Sequence, residues 1–471
     1  MQHVSTRGEA PPLGFAEAML AGLARDGGLY VPHDWPRLEP PTLASFAGRP
    51  YAEVAAKVIG CFVDDAVGGP DLARMAQDAY DTFRHPAVAP LVQLGPNTFA
   101  LELFHGPTLA FKDLAMQLLA RLMDHALAAR NERRTIVVAT SGDTGGAAVA
   151  AFRDRRQVDL IVLFPQARIS PVQRRMMTTV DAANISVLAI DGTFDDCQAL
   201  LKGMFNHAAF RDRVRLSAVN SINWARIAAQ TVYYFTAAAA LGAPHRKVAF
   251  CVPTGNFGDV YSGYVAQRLG LPIDRLVIAT NINDILTRTL ATGAYELRDV
   301  VSTTSPSMDI QVASNFERLL FDAYGRDGGA VRSLMGFLAQ SRRFALSAPA
   351  LAQIRSLFSA DRADETEVAA TIRAVRRETG HCIDPHTAVG VAVAEKNRRD
   401  PAVPMVVLAT AHAAKFPDAV EAACGARPHL PEWLSDLNER PERVTALPAD
   451  QSAVERFVLR TSRAAQQGAA A

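Results

Sequence analysis

The residue in this chain best placed for covalent chemistry is a lysine set between a turn and an apolar helix. Residues 104–113 read FHGPTLAFKD. Gly106-Pro107 breaks the apolar run, and Phe111-Lys112-Asp113 leads into LAMQLLARLMDHAL, whose spacing predicts a helix. Lys112 therefore opens a helix, where the positive end of the dipole disfavours a cation and a packed neighbourhood strips its hydration. A depressed amine pKa, or conversion to an imine with a carbonyl cofactor, answers that difficulty. The bland alternative is a snorkelling surface lysine paired to Asp113.

Two glycine loops can bind anions. Gly255-Asn256-Phe257-Gly258 lies between a strand and a helix, where tight turns and free helix-start amides can surround a phosphate. Ser141-Gly142-Asp143-Thr144-Gly145-Gly146 offers hydroxyls and amides at a second strand end, suited to a carboxylate, although Asp143 adds negative charge and equally suits a helix cap. Thr410 follows the last buried strand. Its neutral hydroxyl can donate to an aromatic ring nitrogen or simply cap a turn, and Lys415 nearby is either functional or solvent-exposed. Neither loop carries G-x-x-x-x-G-K-[ST] or G-x-G-x-x-G, and no G-x-S-x-G elbow occurs, which argues against nucleotide loops and a serine triad. His381, Cys382, Asp384 and His386 superficially resemble a metal cluster, but their spacing repeats no known ligand pattern, so a structural role is expected and no metal is assigned.

Strands alternating with helices must position these residues. Short apolar runs at 135–139, 160–164, 185–190, 215–219, 247–252, 276–280 and 405–409 predict strands. Helical patterns at 197–209, 223–235, 309–324, 331–340, 365–378 and 387–395 fall between or after them. The order predicts an α/β fold with mostly parallel sheets covered on both faces. Before residue 93 the chain reads as helices at 15–24, 51–62 and 72–83, preceded by an arm, Ser5-Thr6-Arg7, ordered by docking elsewhere or left in solvent. The tail from about 428 is richer in proline and charge, with a peripheral helix at 452–463.

The 471 residues are enough for two or three domains, and 49% apolar with 21% charged residues describes an ordinary globular protein. With 49 basic against 48 acidic side chains there is no electrostatic footprint for nucleic acid. Five scattered cysteines form no disulfide framework, the start lacks a signal-peptide core, and no apolar run reaches membrane-spanning length. A cytoplasmic protein is the expectation.

Taken in order, STRG, RDGGLYVP, FHGPTLAFKD, SGDTGG, NSINWARI, PTGNFGD, SPSMDI and TAHAAKF resemble the threonine synthases of the longer bacterial and fungal form, over roughly residues 5 to 420. The resemblance implies a fold-type II pyridoxal-phosphate enzyme. Its expected parts are a helix-rich region at 1–93, a larger cofactor-binding α/β domain from 94–133 and 247–471 with a C-terminal helical extension, and a smaller α/β domain at 134–246. It also implies that Lys112 carries pyridoxal 5'-phosphate as an imine. Gly255, Asn256, Phe257 and Gly258 would cradle the cofactor phosphate, and Thr410 would meet the ring nitrogen. Ser141, Gly142, Asp143 and Thr144 would take the substrate carboxylate.

The reaction implied is conversion of O-phospho-L-homoserine and water to L-threonine and phosphate, a carbon–oxygen lyase step of threonine biosynthesis. A second anion site for the substrate phosphate would draw on Arg168, Ser170, Asn223, Arg226, Ser307 and Arg318. Two positions depart from the family pattern: Gln166-Ala167 stands where Lys-Gly is common, and Ala413 where proline is. The rival readings are another fold-type II lyase or dehydratase without a second phosphate pocket, and a catalytically inactive small-molecule sensor.

Overall fold

Two sheets organise the chain, each built from short β-branched runs separated by helices. The computed structural model describes residues 1–63, 67–140, 142–166 and 169–467. The first sheet has six strands in the order Phe358–Arg362, Ile273–Thr280, Val248–Pro253, Met405–Ala409, Thr98–Glu102 and Leu91–Gly95. Neighbours run parallel except the final hairpin pair. The second sheet has five parallel strands, Thr445–Pro448, Ile185–Asp191, Val158–Pro165, Arg134–Ala139 and Leu216–Ser217.

The period of two along a strand decides what each face buries. In Val248–Pro253, Val248, Phe250 and Val252 join the main core with the helices Lys112–Ala129, Trp224–Ala240 and Gly258–Arg268. Ala249 and Cys251 face the other way, into a smaller core with the helices Glu365–Thr379 and Pro385–Lys396. The sheet is therefore covered on both sides, which explains its continuous apolar strands.

The amino-terminal arm is docked. Gln2–Ser5 pairs with Tyr30–Pro32, and Ser5 and Thr6 are buried. Glu317 holds the arm from the far side of the sequence, accepting from the Thr6 hydroxyl at 2.6 Å and from Arg7 Nε and Nη2 at 3.1 and 3.0 Å.

Three expectations need correction. The C-terminal segment lies on the second sheet rather than extending the larger domain: Thr445–Pro448 pairs with Ile185–Asp191, and Arg463 binds Asp159 at 2.6 Å. An open parallel edge recruits this strand, and four residues ending in proline carry no periodicity to announce it. The helix Trp224–Ala240, placed by its position in the sequence within the smaller domain, packs instead on the helices Lys112–Ala129 and Gly258–Arg268. The helix expected at 309–324 begins only at Phe316, because the Asp309 carboxylate is drawn into a loop by Asn281 and Asn283 Nδ2, at 2.8 and 3.0 Å, and by Thr303.

Glu317→Ala strips three donors of their acceptor, and Arg7 is partly solvated, so a loss of about 2 kcal/mol in unfolding free energy is expected. Calorimetry checks it against Glu378→Ala, which breaks only an exposed pair with Arg377 and should cost less than about 0.5 kcal/mol.

Candidate active site

Parallel strands deliver their loops to one end of the sheet, and there three sequence-distant loops reach the start of the helix Lys112–Ala129. The loop after Met405–Ala409 pairs with the stretch before Lys112: Phe111 donates its amide to the Thr410 carbonyl at 2.8 Å, and Ala110 bridges Ala411. The turn itself is locked from within. Asp113, fully buried, accepts from the Thr108 amide at 2.8 Å and the Thr108 hydroxyl at 2.7 Å. Gly106 is glycine because a Cβ would strike Asp113 and Phe83. Asp113 is thus spent on the turn and does not pair with Lys112.

The partner of Lys112 comes from the second sheet. Asp143, at the start of the helix Asp143–Phe152, places Oδ2 3.7 Å from the Lys112 amine, while its Oδ1 accepts from Lys415 at 2.6 Å and from Gln173 Nε2 at 2.8 Å. Lys415 is only 1% exposed, and it also donates to the Thr108 carbonyl at 2.8 Å. Burial lowers the Lys112 amine to about 8, Asp143 opposes that shift, and the Lys415 and Arg226 charges reinforce it. Burial alone would push the Asp143 carboxyl up, but Lys415 and then Lys112 hold it well below the usual carboxylate range. Here sits an amine made less basic than usual beside a permanent anion, which suits imine formation and proton transfer.

The glycine loop has the geometry of an anion cradle. Gly255 admits no side chain, since a Cβ would clash with the Ser307 carbonyl oxygen. Phe257 takes the left-handed conformation at φ 65°, and no side chain caps the helix Gly258–Arg268 that it precedes. First-turn amides are thereby left for a ligand. Asn256 is exposed at the loop tip, and its carbonyl accepts from Asn315. In the helix Trp224–Ala240, which packs on the helix Gly258–Arg268, Arg226 is 2% exposed, and its Nε is buried without a hydrogen-bond partner. Asp259 has an unpartnered Oδ2 as well, with Tyr233 and Tyr234 on Oδ1 at 2.5 and 3.1 Å; burial raises it to about 6. An uncapped helix start after a glycine turn fits the phosphate of pyridoxal phosphate, and Lys112 fits its aldehyde. The Thr410 hydroxyl, at the end of a first-sheet strand, makes no hydrogen bond among the described residues and fits the ring nitrogen.

Other expected residues divide. Gly142, at φ 144°, precedes the helix, and the Thr140 hydroxyl takes the Gly142 and Gly145 amides, while the helix-start amides of Asp143 and Thr144 have no acceptor among the described residues. Ser170 caps the helix Pro171–Thr178. Ser307 donates its amide to His386 Nε2 at 3.2 Å. Ser141 and Arg168 lie outside the described residues. Asn223 and Arg318 need correction as phosphate ligands, because both are fully buried and spent on structure. Asn223 bonds the Met19 carbonyl and caps a helix through the Ala225 amide; Arg318 bonds the Tyr30 and Ile222 carbonyls and Asn315. Each of the three Arg318 nitrogens thus commits a donor to holding separate segments together, away from solvent.

Several residues were not in the expected site set. Lys415 was visible only as an ambiguous lysine, and Gln173 carried no signal, because nothing local shows that it reaches Asp143. Asp384 and His386 form a pair at 2.6 Å that supports Ser307. Among the described residues no group of three or more His, Cys, Asp or Glu can hold a metal ion.

Two outcomes follow from this geometry. Gly255→Ala forces the cradle backbone to move and should weaken pyridoxal phosphate binding about 10-fold or more by equilibrium dialysis, whereas Gly336→Ala, with open space around it, should leave binding unchanged. The rate at which the cofactor-free protein captures pyridoxal phosphate should rise with pH through a midpoint near 8, because only the free amine reacts and Lys112 loses its proton well below the ordinary 10.5.

Residues 2–80 match the threonine synthase N terminus family, 83–351 the pyridoxal-phosphate dependent enzyme family and 387–458 the threonine synthase C-terminal family. The chain is 51% identical to threonine synthase of Pseudomonas aeruginosa, over 97% of this chain and 98% of the relative. It superposes on the pyridoxal-phosphate-bound threonine synthase of Brucella melitensis with a TM-score of 0.96 and 59% identity, covering 98% of this chain and 100% of that one. Yeast threonine synthase gives a TM-score of 0.93 at 37% identity, covering 98% of each chain. By these matches the chain belongs to the threonine synthases, carbon–oxygen lyases of amino-acid biosynthesis that have the fold-type II architecture and use pyridoxal phosphate.

Proposed function

We propose that this chain takes O-phospho-L-homoserine as its substrate and returns L-threonine and phosphate, with Lys112 as the cofactor anchor and the principal proton carrier. The observation that carries the reading is the Lys112 amine, 12% exposed and 3.7 Å from Asp143, at the meeting point of the carboxylate loop and the loop bearing Thr410. Bound pyridoxal phosphate supplies an electron-poor ring that stabilises negative charge developing at the substrate's Cα.

The protein supplies position and protons. Helix-start amides at Gly258 would hold the cofactor phosphate, and the Thr410 hydroxyl would donate to the ring nitrogen without adding a full charge there. The Asp143 and Thr144 amides take the substrate carboxylate. With its amine free, Lys112 would take the proton from the substrate's Cα and would be placed to move protons at Cβ and Cγ as phosphate leaves Cγ and water adds at Cβ. Ser170, Ser307 and Arg226 remain the described candidates around the leaving phosphate; Arg168 there, and Ser141 at the substrate carboxylate, are assigned by motif alone. We assign 134–246 to the smaller domain, apart from the helix Trp224–Ala240, and place the substrate between the two sheets. No helix among the described residues is long and apolar enough to cross a membrane. The cysteines described are all free, which supports a cytoplasmic setting.

Cofactor-loaded protein supplied with O-phospho-L-homoserine should release threonine and phosphate in equal amounts by chromatography. Lys112→Ala should reduce turnover at least about 1,000-fold and abolish the visible absorption of attached cofactor. Formation of a 2-oxo acid and ammonia in place of threonine would instead identify a dehydratase.

A further inference from the structure

Lys415 is the least solvated cation near the reacting lysine, and the proton transfers described above do not use it. Its ammonium is 1% exposed, fixed by the Thr108 carbonyl at 2.8 Å and the Asp143 carboxylate at 2.6 Å. Gln173 adds a donor to the same carboxylate oxygen at 2.8 Å. Two donors on Oδ1 turn the other oxygen toward Lys112, at 3.7 Å, beyond a hydrogen bond. The anion is held close to the reacting amine yet kept from capturing it.

We propose that Lys415 is a positioning residue for Lys112: by binding the Asp143 carboxylate, it keeps that carboxylate from pairing fully with the Lys112 amine, which stays free to exchange protons. The proposal rests on the assignment of Lys112 as the anchoring lysine. The charged groups acting on Lys112 are Asp143 and Asp259, which favour its protonated form, and Lys415 and Arg226, which disfavour it. Removing Lys415 leaves Asp143 with one cation in place of two, so the anion turns to Lys112 and strengthens its hold on a proton. Removing the Asp143 charge does the opposite. A buried residue with a purely structural role has no reason to move the two variants in opposite directions.

The experiment compares the holoenzyme with Lys415→Met, Lys415→Arg, Asp143→Asn and the double variant Lys415→Met/Asp143→Asn. Readouts are the pH dependence of kcat/KM for O-phospho-L-homoserine, the pH titration of the visible band of the lysine-bound cofactor, and thermal melting. Lys112→Ala, which should lose the band, tests the anchoring assignment separately, and a retained band there overturns that assignment rather than this one. The expected result is an acid limb moved up by about one pH unit or more in Lys415→Met and down in Asp143→Asn. The double variant should lie between them, and Lys415→Arg should stay nearer to wild type than Lys415→Met. Shifts of the same sign, or a fall in kcat with an unmoved profile, overturn the proposal. If Lys415→Met does not fold, the Asp143→Asn and charge-neutral double variants carry the test, because an acid limb that stays at the wild-type pH in both is incompatible with it.

Discussion

A carboxylate held between two lysines is the constraint on which the rest of the site depends. Removing Asp143 and Lys415 from water costs several kcal/mol per ion, and only close pairing with further hydrogen bonds offsets it. The partners come from three places in the chain: Lys415 from the loop after a first-sheet strand, Gln173 from a helix of the second sheet, and the Thr108 carbonyl from the turn before Lys112. Satisfying one buried anion therefore draws both sheets to the same lysine. Stability and chemistry share the same contacts.

Parallel topology explains why the loops converge. In open parallel sheets ligands bind beyond the carboxyl ends of the strands. Gly142 follows Arg134–Ala139, Gly255 follows Val248–Pro253, and Thr410 follows Met405–Ala409. Close approach of backbone to backbone then refines the cradle. The Ser307 carbonyl fills the space a Gly255 side chain would need, while the Ser307 amide donates to His386, whose other ring nitrogen lies 2.6 Å from Asp384. Asp384 in turn caps the helix Pro385–Lys396. The packing of the glycine loop thus reaches Asp384 and His386 through Ser307.

Arginine gives the opposite lesson. Its forked donors suit a phosphate, yet they equally suit the carbonyls of segments that must be joined. Arg318 is used in this second way, tying Tyr30 and Ile222 together beneath Trp224. Arg226, one turn into a neighbouring helix, keeps a nitrogen unpartnered. The residue type is the same in both places, and only the surrounding backbone distinguishes structural use from availability.

Local chemistry was legible where it is written in consecutive residues. The helix after Lys112, the strand Met405–Ala409 and the α/β alternation all follow from short-range periodicity, whereas the left-handed residue of the glycine loop is Phe257 and not one of its glycines. What the linear order left open is whatever depends on which distant group arrives. The edge strand Thr445–Pro448 exists because Ile185–Asp191 offers it a partner. The arm at Ser5 and Thr6 is buried because Glu317 and Tyr30–Pro32 receive it. Asp113, beside Lys112 in sequence, turned inward to Thr108, and Asp143 took the place beside the amine. Periodicity reports the conformation of a segment, but the charge state of a buried lysine depends on desolvation and on ions that only folding brings within a few ångströms.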